Sequence, residues 1–60
     1  MSTVYNPESD IVARIERLKL EARDIRRKID YVRNEDDRRV LNRQLKELGE
    51  EITNLEARLP

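Results

Sequence analysis

Two regular series of aliphatic residues constrain this chain more than any other feature of its sequence. Both series are spaced alternately by four and three residues. The first consists of Ile11, Ile15, Leu18, Ala22, Ile25, Ile29 and Val32. The second consists of Leu41, Leu45, Leu48, Ile52, Leu55 and Leu59. This spacing is typical of helices that pack one narrow apolar face against another helix. The sequence therefore predicts an all-α protein with two amphipathic helices.

The two series are out of phase with each other, because nine residues separate Val32 from Leu41. No regular heptad step bridges that interval, which indicates a break in the helix. Asn34 lies in the break, and asparagine both tolerates the left-handed conformation that ends a helix and caps the next one. Acidic residues at 35–37 suit the positive end of a new helix. We therefore predict a turn at about residues 33–35.

The two series also mirror each other about Glu35. Ile29 then faces Leu41, and the pairing continues outward through six layers to Ile11 opposite Leu59. Equal arms joined by a short polar link are typical of an αα-hairpin. We therefore predict an antiparallel, coiled-coil-like hairpin at 7–59, after a flexible N-terminal tail at 1–6. Helix 1 is expected at about 7–33 and helix 2 at about 35–59, and a single long helix is the alternative.

The residue types that are absent exclude several kinds of chemistry. The chain has no cysteine and no histidine, so a disulfide framework, a thiolate zinc site and an imidazole base are excluded. Every acidic residue lies off the apolar series, whereas catalytic acids and bases need burial to shift their pKa. We therefore expect no enzyme, no cofactor, no metal site and no small-molecule substrate.

The apolar runs are too short for a membrane span, since the longest is Ile11-Val12-Ala13. No basic segment followed by an apolar block marks a secretory leader. We therefore expect a cytoplasmic protein of cellular or viral origin, with no membrane partner.

The hairpin is small for a chain that must fold alone. Two helices cannot cover a side chain on all sides, and chains of this size usually need a disulfide, a metal or a partner. We therefore predict a protein–protein interaction module that forms a homodimer, as a four-helix bundle, or a larger helical assembly, as a structural or adaptor component. The alternative is a small regulatory or inhibitory protein, encoded by a phage or a host operon, that binds one larger target.

The charges balance overall, with 13 basic and 13 acidic residues, but not along the hairpin. Residues 23–46, which form the turn half, hold nine basic and five acidic residues, a net charge of +4. The remaining open half holds four basic and eight acidic residues, a net charge of −4. This polarity favours two hairpins packed antiparallel, turn end to open end. Weak contact between the basic turn end and nucleic acid is the less favoured alternative.

Some apolar residues outside the two series are candidates for partner binding. Tyr31 and Val40 fall at the same side of the hairpin near the turn and, with the flanking Lys28 and Gln44, could form an exposed patch. Gly49 lies in the middle of the second helix and could allow another helix to approach closely. The remaining candidates are Val12, Leu20 and Arg27. The alternatives are scattered surface apolar residues, which are normal, and a glycine covered by the stems of Lys19 and Arg26.

Overall fold

A computed structural model describes residues 7–60 of the chain. Two α-helices, Pro7–Tyr31 (α1) and Glu35–Glu56 (α2), are joined by a short link and pack against each other. The predicted all-α hairpin is therefore confirmed, and the single long helix is wrong. The tail predicted at 1–6 lies outside the described residues.

The helices are slightly shorter than the periodicity predicted. α1 ends at Tyr31, although the backbone N–H of Val32 still donates to the carbonyl of Lys28 at 3.1 Å. α2 ends at Glu56, and Leu59 N donates to the carbonyl of Glu56 at 3.1 Å in a tighter turn. This turn keeps Leu59 packed against the core, which explains why the apolar spacing extends past the end of the helix.

Asn34 forms the start of α2. Its side-chain oxygen accepts a hydrogen bond of 2.8 Å from the backbone N–H of Asp36, which satisfies one of the free donors at the helix N-terminus. Its backbone is extended, with φ at −83°. Asn34 does not adopt the left-handed conformation that asparagine tolerates, and no non-glycine residue in 7–60 has a positive φ. The cap to the second helix alone explains the asparagine.

Arg38, in the first turns of α2, hydrogen-bonds back to the end of α1. It mirrors Val32 about Glu35, so that these two residues form a seventh layer beyond Ile29 and Leu41. Its guanidinium Nη2 donates to the carbonyl oxygen of Val32 at 2.8 Å. The last carbonyls of a helix have no partner within the helix, and a basic side chain commonly satisfies them. Asn34 and Arg38 thus satisfy free backbone groups at both helix ends of the link.

The core is small and lies in the open half. The seam, which we define as the twelve residues of the six predicted layers, is buried or half-buried throughout. Among residues 7–60, the buried hydrophobic side chains are those of Ile15, Leu18, Ala22 and Leu55. The seam residues of the turn half are only half-buried, and these are Ile25, Ile29, Leu41 and Leu45. The second helix therefore covers the open half better than the turn half.

Two exposed ion pairs connect the helices on opposite sides of the seam. Arg14 Nη2 lies 3.0 Å from Glu51 Oε1, and Lys19 Nζ lies 4.0 Å from Glu56 Oε2. Because both pairs are open to solvent, each contributes about 0–1 kcal/mol at most. The apolar seam is therefore the main interaction between the helices.

We expect Leu55→Ala to destabilise the hairpin by about 2–5 kcal/mol, since Leu55 is 5% exposed at the centre of the core cluster. Leu20→Ala is the matched control, because Leu20 is 57% exposed and should change stability by less than about 0.5 kcal/mol. Thermal melting at one protein concentration, followed by circular dichroism, compares the two variants. Equal melting temperatures would contradict the position of the core.

Candidate docking site

One broad face of the hairpin carries an acidic groove. It is a shallow cleft of about 350 Å³ between the helices. Its lining residues are Glu21, Ile25, Gln44, Glu47, Leu48 and Glu51. Two aliphatic seam residues form its floor and three glutamates surround them, with no basic residue in the lining. Such a groove suits an apolar surface that is bordered by positive charge.

The opposite broad face carries a basic groove of the same size, about 350 Å³. Its lining residues are Lys19, Ala22, Arg23, Arg26 and Ile52. Ala22 and Ile52 again belong to the seam, and three basic side chains surround them with no acidic residue in the lining. Because the helical spacing of these residues places them on the other side of the seam from Ile25 and Leu48, the two grooves lie back to back at similar height.

An apolar patch at the turn extends the acidic groove. Tyr31 is 81% exposed and Val40 is 53% exposed. Val40 also borders a cleft of about 290 Å³ that is lined by Val32, Asp37, Val40, Leu41 and Gln44. Gln44 lines this cleft and the acidic groove alike. We call Tyr31 and Val40, with this cleft, the turn patch, and it forms one continuous surface with the acidic groove.

Of the other predicted docking residues, Lys28 lies on the same side of α1 as the acidic groove, seven residues after Glu21, whereas Leu20, Arg27 and Val12 line neither groove. Leu20 and Arg27 are exposed and lie seven residues apart, so that they occupy the outer edge of α1, away from both grooves. Val12 is 45% exposed near the start of α1. Lys28 is exposed in the last turn of α1, close in sequence to Tyr31.

Gly49 lies beside open space. A Cβ built on this residue would have no neighbouring heavy atom within 4 Å, so the stems of Lys19 and Arg26 do not cover it. Its carbonyl accepts a hydrogen bond of 3.0 Å from Thr53 Oγ1 within the helix. The position is therefore free for the approach of another helix, as well as for a larger side chain.

The division of charge between the two grooves was not predicted from the sequence, because only the charge along the length of the hairpin was considered. Glu21 and Glu51 precede seam residues and lie on one side, whereas Lys19 and Arg26 follow seam residues and lie on the other. In heptad terms the acids of the groove fall at g and c positions, and the basic residues fall at e and b positions. Heptad position separates the groove residues themselves but not every charge, because Arg14 and Lys28 share the g positions with Glu21.

Two general properties of the described chain bear on its class. No helix within residues 7–60 is both long enough and apolar enough to cross a membrane. No group of acidic side chains in the same range is arranged to hold a metal ion.

The described residues form a small helical hairpin with one groove on each broad face. Residues 12–60, which are 49 of the 60 residues, match the model of a family described as effector-associated domain 9. The chain belongs to this family. Its description associates the domain with effector proteins, which is compatible with an interaction module. No curated protein and no solved structure matches the chain.

We expect Gly49→Ala to raise the stability of the hairpin by about 1 kcal/mol, because alanine favours the helix and its methyl group meets open space. If another helix packs closely on Gly49, the same change should weaken association. Melting temperature and association constant, measured on one sample, separate the two effects. A decrease in the stability of the isolated hairpin would contradict the open environment of this residue.

Proposed function

We propose that this chain is a non-enzymatic protein–protein interaction module that self-associates through its helices. Its smallest assembly is a homodimer in which two hairpins form a four-helix bundle, and larger helical assemblies extend from it. In an effector-associated domain, such self-association would bring the attached effector proteins together.

The observation that carries the proposal is the incomplete cover of the apolar residues in the turn half. Tyr31 and Val40 are exposed, and Ile25, Leu41 and Leu45 are half-buried. Apolar side chains gain about 25 cal/mol for each Å² that they remove from water, so a second hairpin laid over this surface would be stabilised by burying them. In a single hairpin these apolar side chains of the turn half remain partly open to solvent.

The size of the core supports the same proposal. The cluster of buried residues consists of Ile15, Leu18 and Leu55, all in the open half. Chains of this length rarely remain folded on so small a core without a second copy, a metal or a disulfide. A second copy would add layers to the core without any new sequence element.

The charge distribution supports an antiparallel arrangement of the two copies. The turn half has a net charge of +4 and the open half a net charge of −4. Opposite charges at the ends of two antiparallel hairpins attract each other, whereas parallel hairpins would place like charges together.

A second candidate function is docking on the helices of one larger target protein, as a regulator. The family description favours this candidate as well, because an effector-associated domain has effector proteins within reach. Nucleic acid has no part in the proposal, since Asp30, Glu35 and Asp37 interleave with the basic residues of the turn half.

Sedimentation equilibrium of the isolated chain tests the proposal. We expect a helical dimer or larger species at micromolar concentration. A poorly folded monomer would favour the second candidate, the foreign target, and a well-folded monomer at all accessible concentrations would contradict self-association.

We expect the double variant Tyr31→Glu, Val40→Glu to weaken self-association by at least about tenfold, because burying an unpaired carboxylate in an interface is unfavourable. Both residues lie outside the seam, so the helicity of the hairpin should change little. Leu20→Glu is the matched control, since it places the same charge at an exposed apolar residue on the outer edge of α1. Equal association constants for the wild type and the double variant would exclude the turn patch from the interface.

A further inference from the structure

The two grooves carry opposite charges, and each has two aliphatic seam residues as its floor. Three glutamates surround the acidic groove, and of these Glu51 pairs with Arg14 of the same copy. One lysine and two arginines surround the basic groove, and the lysine, Lys19, pairs with Glu56. The grooves lie on opposite faces of one hairpin, so the two cannot meet within a single copy.

A symmetric pairing of identical faces is disfavoured by these charges. If the acidic groove of one copy covered the acidic groove of a second, Glu21 and Glu47 near the middle of the rod would approach their own equivalents. The same holds for Arg23 and Arg26 on the basic face. Like charges opposed in an interface repel each other, so both symmetric dimers are disfavoured.

We propose that the acidic groove of one copy receives the basic face of a second copy, reversed end for end. The proposal deepens the proposed self-association by naming its surfaces, and it rests on that function. The floors of the two grooves, Ile25 and Leu48 on one copy and Ala22 and Ile52 on the other, pack together, and the charged rims pair around them.

The end-for-end reversal satisfies both charge patterns at once. A half-turn about the stacking direction reverses the rod but leaves each broad face pointing the same way. The turn half of one copy, with a net charge of +4, then lies over the open half of the next, with a net charge of −4. The same operation brings the two grooves into register, because both lie near the middle of the rod.

The contact is heterologous, so it does not close on itself. Each new contact buries one acidic and one basic groove, and the stack always keeps one free acidic and one free basic groove at its two ends. Contacts of this type produce rings or open-ended stacks, depending on the rotation between copies. The assembly therefore grows with protein concentration and has no fixed size at two copies.

The test uses one charge reversal on each face of the full chain. Glu47→Lys acts on the acidic groove and Arg26→Glu acts on the basic groove. Each variant alone is expected to lose self-association by at least about tenfold, since each keeps only one working face. An equimolar mixture is expected to form a 1:1 complex with nearly wild-type affinity, because the intact acidic groove of one variant meets the intact basic face of the other.

Matched controls lie on the outer edges of the same helices. Glu50→Lys changes the net charge as Glu47→Lys does, and Arg27→Glu changes it as Arg26→Glu does. Glu50 lies three residues from Glu47 and Arg27 lies next to Arg26, and neither control residue lines either of the two grooves. Both are expected to associate like the wild type. Circular dichroism checks that all four variants remain helical, and recovery of the mixed complex shows that the two groove variants remain folded.

Each other outcome overturns the inference in a recognisable way. Loss with only one of the two groove variants, without recovery on mixing, indicates a symmetric dimer through that face. Equal loss with the outer-edge controls indicates an effect of net charge or a contact at Arg27. A wild-type chain that stays monomeric overturns the proposed self-association itself, and sedimentation of the wild type alone reveals that failure.

Discussion

The packing of one aliphatic seam between only two helices determines the rest of this molecule. A side chain such as Leu55 is covered from its own helix and from its partner, but each seam residue also borders one of the two broad faces. The result is a core cluster confined to the open half, with half-buried seam residues that form the floors of surface grooves. The interior and the proposed docking surface therefore share the seam residues.

Charge decides how such a surface is used. The exposed ion pairs between the helices add little stability, because solvent screens them. The acidic and basic residues that line the grooves have a different effect, since they favour some partners and arrangements over others, although Glu51 and Lys19 already pair with Arg14 and Glu56. A chain with zero net charge and one acidic and one basic groove has low overall repulsion, and in the proposed assembly these grooves give the contact its direction.

Most of the fold could be predicted from the sequence, because the seam spacing and its mirror symmetry about Glu35 specify a hairpin. The details at the ends could not. Apolar spacing does not distinguish an α-helix from the tighter turn that carries Leu59. An asparagine in the link is compatible with a left-handed helix end and with a helix cap, and the structure shows only the cap, to the backbone N–H of Asp36. The candidate site was predicted in part: the turn patch followed from Tyr31 and Val40, but the opposed grooves required the positions of both helices together.

We propose that folding and association of this hairpin are coupled, because neither the seam nor the grooves are fully covered in one copy. Thermal unfolding at protein concentrations from roughly 1 µM to 1 mM tests this claim most directly, since binding of a second folded copy raises the melting temperature by mass action. The account predicts a melting temperature that increases steadily with concentration. A cooperative transition at the same temperature across the whole range would contradict it.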